Sequence, residues 1–295
     1  MSTVTGAPST GAGGPATPRG ADDLPDAFRL TELGDGRFEA ANMGDPGSRD
    51  VVYGGQLLSQ MILASGLVAT TKEVASIHTV FARGATVALP VEIDVEVLHD
   101  GRTMGSQSVT ARQGDRVCAK ALVLRRADGP DLIRHQPAMP AVDGPDRSPD
   151  TGQAGLLAPG SELRVEGGVD TWDPDGPVGP AELLVWVRLP PAGDDPVLAQ
   201  ALLAYGTDGF LIGTAMRPHE GIGQNMAHRS LATGVVSHTL TFHEPGETGA
   251  WLLMAHESPY AGRGAAYGRA HVFTQDGRLV ASFVQEAMIR DSGAS

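Results

Sequence analysis

Apolar positions recur near a 3.6-residue period at Leu57, Leu58, Met61, Ile62 and Leu67, within GGQLLSQMILASGLVATT (54–71). That pattern predicts a helix, with two glycines leading into it. It is apolar over much of its surface, so it should be buried. Runs rich in Val, Ile, Thr and Leu follow and predict strands: ASIHTVFARG, VEIDVEVLHD, GSQSVTARQG and RVCAKALVLRR. The links HDGR and RQGDR carry the Asp-Gly and Gly-Asp chemistry of hairpins. VEIDVEV alternates apolar and acidic residues strictly, the mark of a strand with one wet face. The same order returns later. PVLAQALLAYGTDGFLIGTAM (196–216) predicts a second helix, with Asp195 where an N-cap belongs and Pro196 at the first helical position. SHTLTFHE, WLLMAHES, AYGRAHVFT and RLVASFVQEAMIR then read as strands. Each half is a long helix followed by an antiparallel meander, whose apolar face the helix covers.

The halves also match residue by residue. SIHTVF (76–81), DGRT (100–103) and RQGDRVCAKALVLRR (112–126) are answered by VSHTLTF (236–242), GRG (262–264) and TQDGRLVASFVQEAMIR (274–290). His78 to Arg102 is 24 positions and His238 to Arg263 is 25; His78 to Arg116 is 38 and His238 to Arg278 is 40. Matching types in matching order indicate a duplicated domain. On this alignment His78 and His238 are equivalent, which predicts a shared structural role, and Cys118 falls opposite Val280 and Ala281 as a small apolar filler.

Two biased stretches bound these halves. Residues 1–25 are Gly, Ala, Pro, Thr and Ser with almost nothing to bury, and are expected to form a disordered tail. The first domain is expected over 26–127, a proline- and acid-rich linker over 128–160, and the second domain over 161–295, where ELRVEGGVD (162–170) opens like a short strand.

Composition narrows the function. The 295 residues carry a net charge of −13, which argues against a general nucleic-acid binder but leaves room for a local basic pocket. One cysteine leaves neither a disulfide framework nor a thiolate-rich zinc site, and no histidine and carboxylate spacing suggests a metal. There is no G-x-S-x-G elbow. No apolar run reaches the roughly 18–20 residues of a membrane span, and no signal-peptide pattern opens the chain. A cytoplasmic protein without a cofactor is expected.

The segments YGGQLLSQ (53–60), SIHTVFARG (76–84), the DGRT and TARQGDRV turns, LLVWVRL (183–189), LLAYGTDGFLIGTAMRPH (202–219), SHTLTFHEP (237–245), WLLMAHESP (251–259) and GRGAAYGRAHVFTQDGRLVASFVQEAMIR (262–290) together resemble the type II acyl-CoA thioesterases. The resemblance covers roughly residues 27–127 and 181–290. It implies an α+β double hot-dog: two tandem helix-plus-antiparallel-sheet domains whose sheets form one continuous surface. It implies hydrolysis of acyl-CoA to a free acid and coenzyme A, by a water held between an Asp, a hydroxyl residue and a Gln.

Carried onto this chain, the Asp falls on Asp208 and the Gln on Gln285. The hydroxyl position, three residues before His238, is Val235, which cannot hydrogen-bond a water. Thr233 and Ser237 each lie two positions away, on the same face of a regular strand, and Thr233 is favoured. If neither reaches the water, the alternative is a non-catalytic or weakly active acyl-CoA-binding protein. An oxyanion donor is expected from backbone N–H groups at the helix start, Gly54, Gly55 and Gln56; the competing reading is that the glycines serve only helix packing. Arg217, Arg229 and Arg263 are candidates to meet the coenzyme A phosphates. A hydratase on the same fold would need an Asp/His pair on one loop, which the spacing does not offer. Edge strands predict a homo-oligomer.

Overall fold

The computed structural model describes residues 26–43, 50–68, 71–246 and 248–293; the tail expected over residues 1–25 lies outside the described residues. Strands β1 (Leu30–Gly34) and β2 (Arg37–Ala40) precede helix α1 (Gly54–Val68), and β3 (Glu73–Phe81), β4 (Val91–Asp100), β5 (Met104–Gln113) and β6 (Arg116–Arg126) follow it. Strands β7 (Glu162–Val165) and β8 (Glu182–Arg188) then lead to helices α2 (Pro196–Thr207) and α3 (Leu211–Met216). The chain ends in β9 (Leu231–Phe242), β10 (Trp251–Gly262), β11 (Ala265–Thr274) and β12 (Leu279–Asp291).

The described strands form one antiparallel sheet in the order β1-β2-β4-β5-β6-β3-β9-β12-β11-β10-β8-β7. From either edge inward the sequence of elements is the same, so a pseudo-two-fold axis runs through the central β3–β9 pair. The expected double hot-dog is present: α1 and α2 lie against each other and the sheet wraps them. Val91, Ile93 and Val95 of β4 point inward while Glu92, Asp94 and Glu96 point away, as the alternation predicted.

The helices are held closely. Ser59 Oγ bridges the carbonyls of Gly55 (2.9 Å) and Ala201 (2.6 Å). A Cβ on Gly66 would lie 2.5 Å from Val197 Cγ1, and one on Gly55 would run into the Tyr205 carbonyl oxygen. Asp195 caps α2 by accepting from the N–H groups of Val197 (2.9 Å) and Leu198 (3.0 Å), with Pro196 beside it, as expected.

Two expectations need correction. The helix predicted over 196–216 is broken: α2 stops at Thr207, Asp208 is its C-cap, and α3 restarts at Leu211. Gly209 sits at the break, where a Cβ would approach Leu156 Cβ to 2.9 Å, so the connecting segment presses against the turn.

Nor are His78 and His238 equivalent. His78 pairs with Thr239 across the β3–β9 junction, and Thr79 with His238. His78 is exposed and accepts from or donates to Thr239 Oγ1 (2.6 Å), whereas His238 is fully buried. Residues related by the axis share a face, so the counterpart of His78 is Thr239. A one-residue slip moves a side chain to the opposite face of a sheet, and Thr239 to Arg263 restores the spacing of 24.

The connecting segment packs along the molecule. Gln136 accepts from Leu279 N (3.0 Å) and donates to Gly277 O (2.6 Å). Met139 and Val142 lie on a small outer cluster of Trp186, Leu253, Phe273 and Leu279, and Trp186 Nε1 donates to Asp143 O (2.9 Å).

Candidate active site

The helix break delivers Asp208 to the end of α2, and β12 delivers Gln285 from beneath. Gln285 Nε2 donates to Asp208 Oδ1 (2.9 Å) and lies 2.7 Å from His238 Nδ1. The other imidazole nitrogen, His238 Nε2, lies 3.1 Å from Thr207 Oγ1, whose hydroxyl donates to Ala204 O (2.8 Å). The imidazole is stacked on Phe283 with ring centroids 5.5 Å apart and planes 14° apart. Gln285 is 1 % exposed, Asp208 8 % and His238 0 %.

Asp208 borders a cavity of about 630 Å³ at the meeting of the two halves. Gly54 and Phe81 line it from the first half, Thr233 and Val235 from the second, and Leu156 and Trp172 from the connecting segment. A Cβ on Gly54 would lie 2.6 Å from Asp208 Oδ2. The carboxylate therefore rests against the start of α1, whose first-turn N–H groups have no acceptor within the helix and favour negative charge.

Of the two hydroxyls, Thr233 lines the cavity and is 3.3 Å from His228 Nε2. Ser237 does not. Val236 is an extra residue in β9, a bulge between the Ser237–Glu286 and Val235–Ala287 pairs. Beyond the bulge Ser237 pairs with exposed Val80 and shares its outer face, so the two-position argument linking it to Val235 fails.

The three candidates at the start of α1 separate. Gly54 lines the cavity; Gly55 packs on α2. Gln56 is occupied elsewhere: its N–H donates to Tyr53 O (3.0 Å), and its side chain accepts from Met43 N (3.0 Å) and donates to Asn42 Oδ1 (2.8 Å). Among the arginines, Arg229 lines the cavity. Arg217 is half-buried and donates to Glu182 O, while Arg263 lies in the left-handed turn between β10 and β11 (φ 57°). Arg83, which sequence reasoning passed over, lines the cavity from the first half.

Sequence reasoning also missed the pairing of His238 with Gln285. The only signal was their common place in adjacent strands, and it depended on the register. The Asp/His pair not found by spacing exists in space, with His238 Nδ1 3.5 Å from Asp208 Oδ1. Cys118 is fully buried, which raises its thiol pKa and makes it a poor nucleophile. Among the described residues no group of three His, Cys, Asp or Glu could hold a metal, and no helix is long and apolar enough to cross a membrane.

Comparison with known proteins agrees with this architecture. Residues 44–126 match the family model of the acyl-CoA thioesterase N-terminal domain, and residues 135–289 that of the C-terminal domain. Acyl-CoA thioesterase 2 of Haemophilus influenzae is 29% identical over 90% of this chain and 96% of its own. The solved structure of a tesB protein from Mycobacterium avium subspecies paratuberculosis superposes with a TM-score of 0.74 at 28% identity, covering 89% of this chain and 96% of that one. An acyl-CoA thioesterase II from Mycobacterium marinum gives a TM-score of 0.75 at 26% identity, over 91% and 98%. The chain belongs to the acyl-CoA thioesterase family of thioester hydrolases.

Proposed function

We propose that the chain hydrolyses acyl-CoA by direct attack of a water held by Asp208, Gln285 and Thr233. The observation that carries this is that Asp208, which lines a cavity together with Thr233 and Gly54, accepts from the buried Gln285 amide directly beneath that wall. The water oxygen forms a bond to the thioester carbonyl carbon as its proton passes to the Asp208 carboxylate. The C–S bond then breaks, the coenzyme A thiolate takes up a proton, and the acid is released. Gly54, at the positive end of α1, supplies an N–H group for the developing oxyanion. Arg83 and Arg229, one from each half, are the cations for the coenzyme A phosphates.

Purified protein should release coenzyme A from at least one member of an acyl-CoA series. Asp208→Asn should lower kcat by about 100-fold or more, with Gln285→Ala losing about as much. Normal folding with no turnover at any chain length overturns the proposal.

A second reading rests on Val235, which lines the cavity where the family's hydroxyl is expected: acyl-CoA is bound but not hydrolysed. Binding without turnover, with Val235→Thr gaining turnover, supports that reading. A hydratase is not favoured, because His238 is fully buried with both ring nitrogens engaged, by Gln285 and by Thr207.

We also propose that the chain self-associates. Val80, Leu122 and Leu124 are exposed on the outer face of the first half, whereas on the second half Met139 and Val142 of the connecting segment cover an outer cluster of Trp186, Leu253, Phe273 and Leu279.

A further inference from the structure

We propose that His238 is a positioning residue that fixes the Gln285 carboxamide, so that its oxygen is the atom offered to the reacting water. This rests on the hydrolytic reading above and extends it to a residue that never touches substrate.

The polarity of the hydrogen-bond chain can be followed from its fixed end. Ala204 O only accepts, so the single Thr207 hydroxyl proton is committed to it (2.8 Å). Thr207 Oγ1 must then accept from His238, which places the imidazole proton on Nε2 (3.1 Å). In the neutral ring Nδ1 is left as an acceptor. The group 2.7 Å from it must donate, and that group is the Gln285 amide nitrogen.

Two further neighbours agree. Asp208 Oδ1 at 2.9 Å and Thr207 O at 3.3 Å are also acceptors. An amide nitrogen among three acceptors is satisfied, whereas an amide oxygen there would be repelled by all of them. Gln285 Oε1 is consequently turned away, and it is a buried acceptor without a partner among the described residues. An unsatisfied buried acceptor is costly in a fold that otherwise pairs its polar groups, and a water donating to it is the ligand it fits. Asp208 takes the proton of that water, while Gln285 Oε1 orients it.

The counterpart positions support a dedicated role. Ile77 pairs with Val123 in the first half as His238 pairs with Gln285 in the second. The repeat without the carboxamide also lacks the imidazole.

The test compares His238→Phe with His238→Asn in the full chain. Phenylalanine keeps a ring over Phe283 but has no acceptor. Asparagine can place Oδ1 where Nδ1 stood. We expect His238→Phe to lower kcat on the order of tenfold with KM unchanged, and His238→Asn to recover most of that loss. Equal kcat in both variants and the wild type, or an equal loss in both folded variants, overturns the assignment.

A second measurement needs neither a variant nor turnover. Nitrogen NMR of imidazole-labelled wild-type protein should find His238 neutral with its proton on Nε2. A proton on Nδ1 refutes the chain of donors. If the wild type hydrolyses no acyl-CoA yet His238 holds the Nε2 proton, the hydrolytic reading fails while the locked carboxamide stands.

Discussion

At Gly54 the absent side chain matters in a different way from its neighbour. A Cβ there meets the Asp208 carboxylate, the movable end of a side chain, whereas a Cβ on Gly55 meets the backbone of α2 at Tyr205. Gly54→Ala should therefore displace the carboxylate and lower kcat by about 10- to 100-fold with little change in melting temperature. Gly55→Ala should destabilise the fold by about 1–3 kcal/mol or more, read by denaturant unfolding. If the two variants behave alike, the carboxylate is not held by that contact. His256 supports a prediction of another kind. Burial in β10 lowers its pKa from 6.5 to about 4, and its Nδ1 donates to Leu183 O (3.1 Å). Above pH 6.5 neither folded nor unfolded chain is protonated there. As pH falls from 6.5 towards 4 the unfolded chain takes up a proton that the fold refuses, so stability falls across that window and then levels off. His256→Asn can keep the donor without the titration, and should flatten this part of the stability–pH curve.

Among the elements, what was legible in the sequence is what local chemistry decides. The cap at Asp195 and Pro196, the buried helix over 54–68 and the alternation of β4 depend on residues a few positions apart, and each forms as expected. The break after Thr207 and the bulge at Val236 do not. The break lies in an apolar run whose period continues into α3, and at Gly209 the distant Leu156 leaves little room for a side chain. The bulge is defined only against β12. Both features shape the candidate site: Asp208 and Gln285, singled out by resemblance, touch each other, while separating Thr233 from Ser237 required the register. The connecting segment differs likewise: its composition reads as a spacer, yet it covers an apolar face. Trp186→Ala should cost about 3–5 kcal/mol and open residues 128–150 to limited proteolysis. Unchanged cleavage would mean that the segment is held by other contacts.

For the whole molecule, the exposed outer face of the first half is the place to test assembly. Light scattering should give a mass above the 30.6 kDa of one chain, and Leu122→Lys with Val80→Lys should reduce it to a single chain. A monodisperse wild-type monomer would exclude self-association through this face. The pseudo-two-fold axis has a separate outcome. Two identical subunits related by such an axis would carry two equal reaction centres, and any substitution would strike both. Here the copies are joined in one polypeptide, so Val123 occupies the place corresponding to Gln285 while the Gly54 end of the first helix still faces Asp208 of the second. Covalent fusion thus lets the two repeats carry different residues at equivalent places while both border one cavity, and titration with a tight-binding product analogue should saturate at one equivalent per chain.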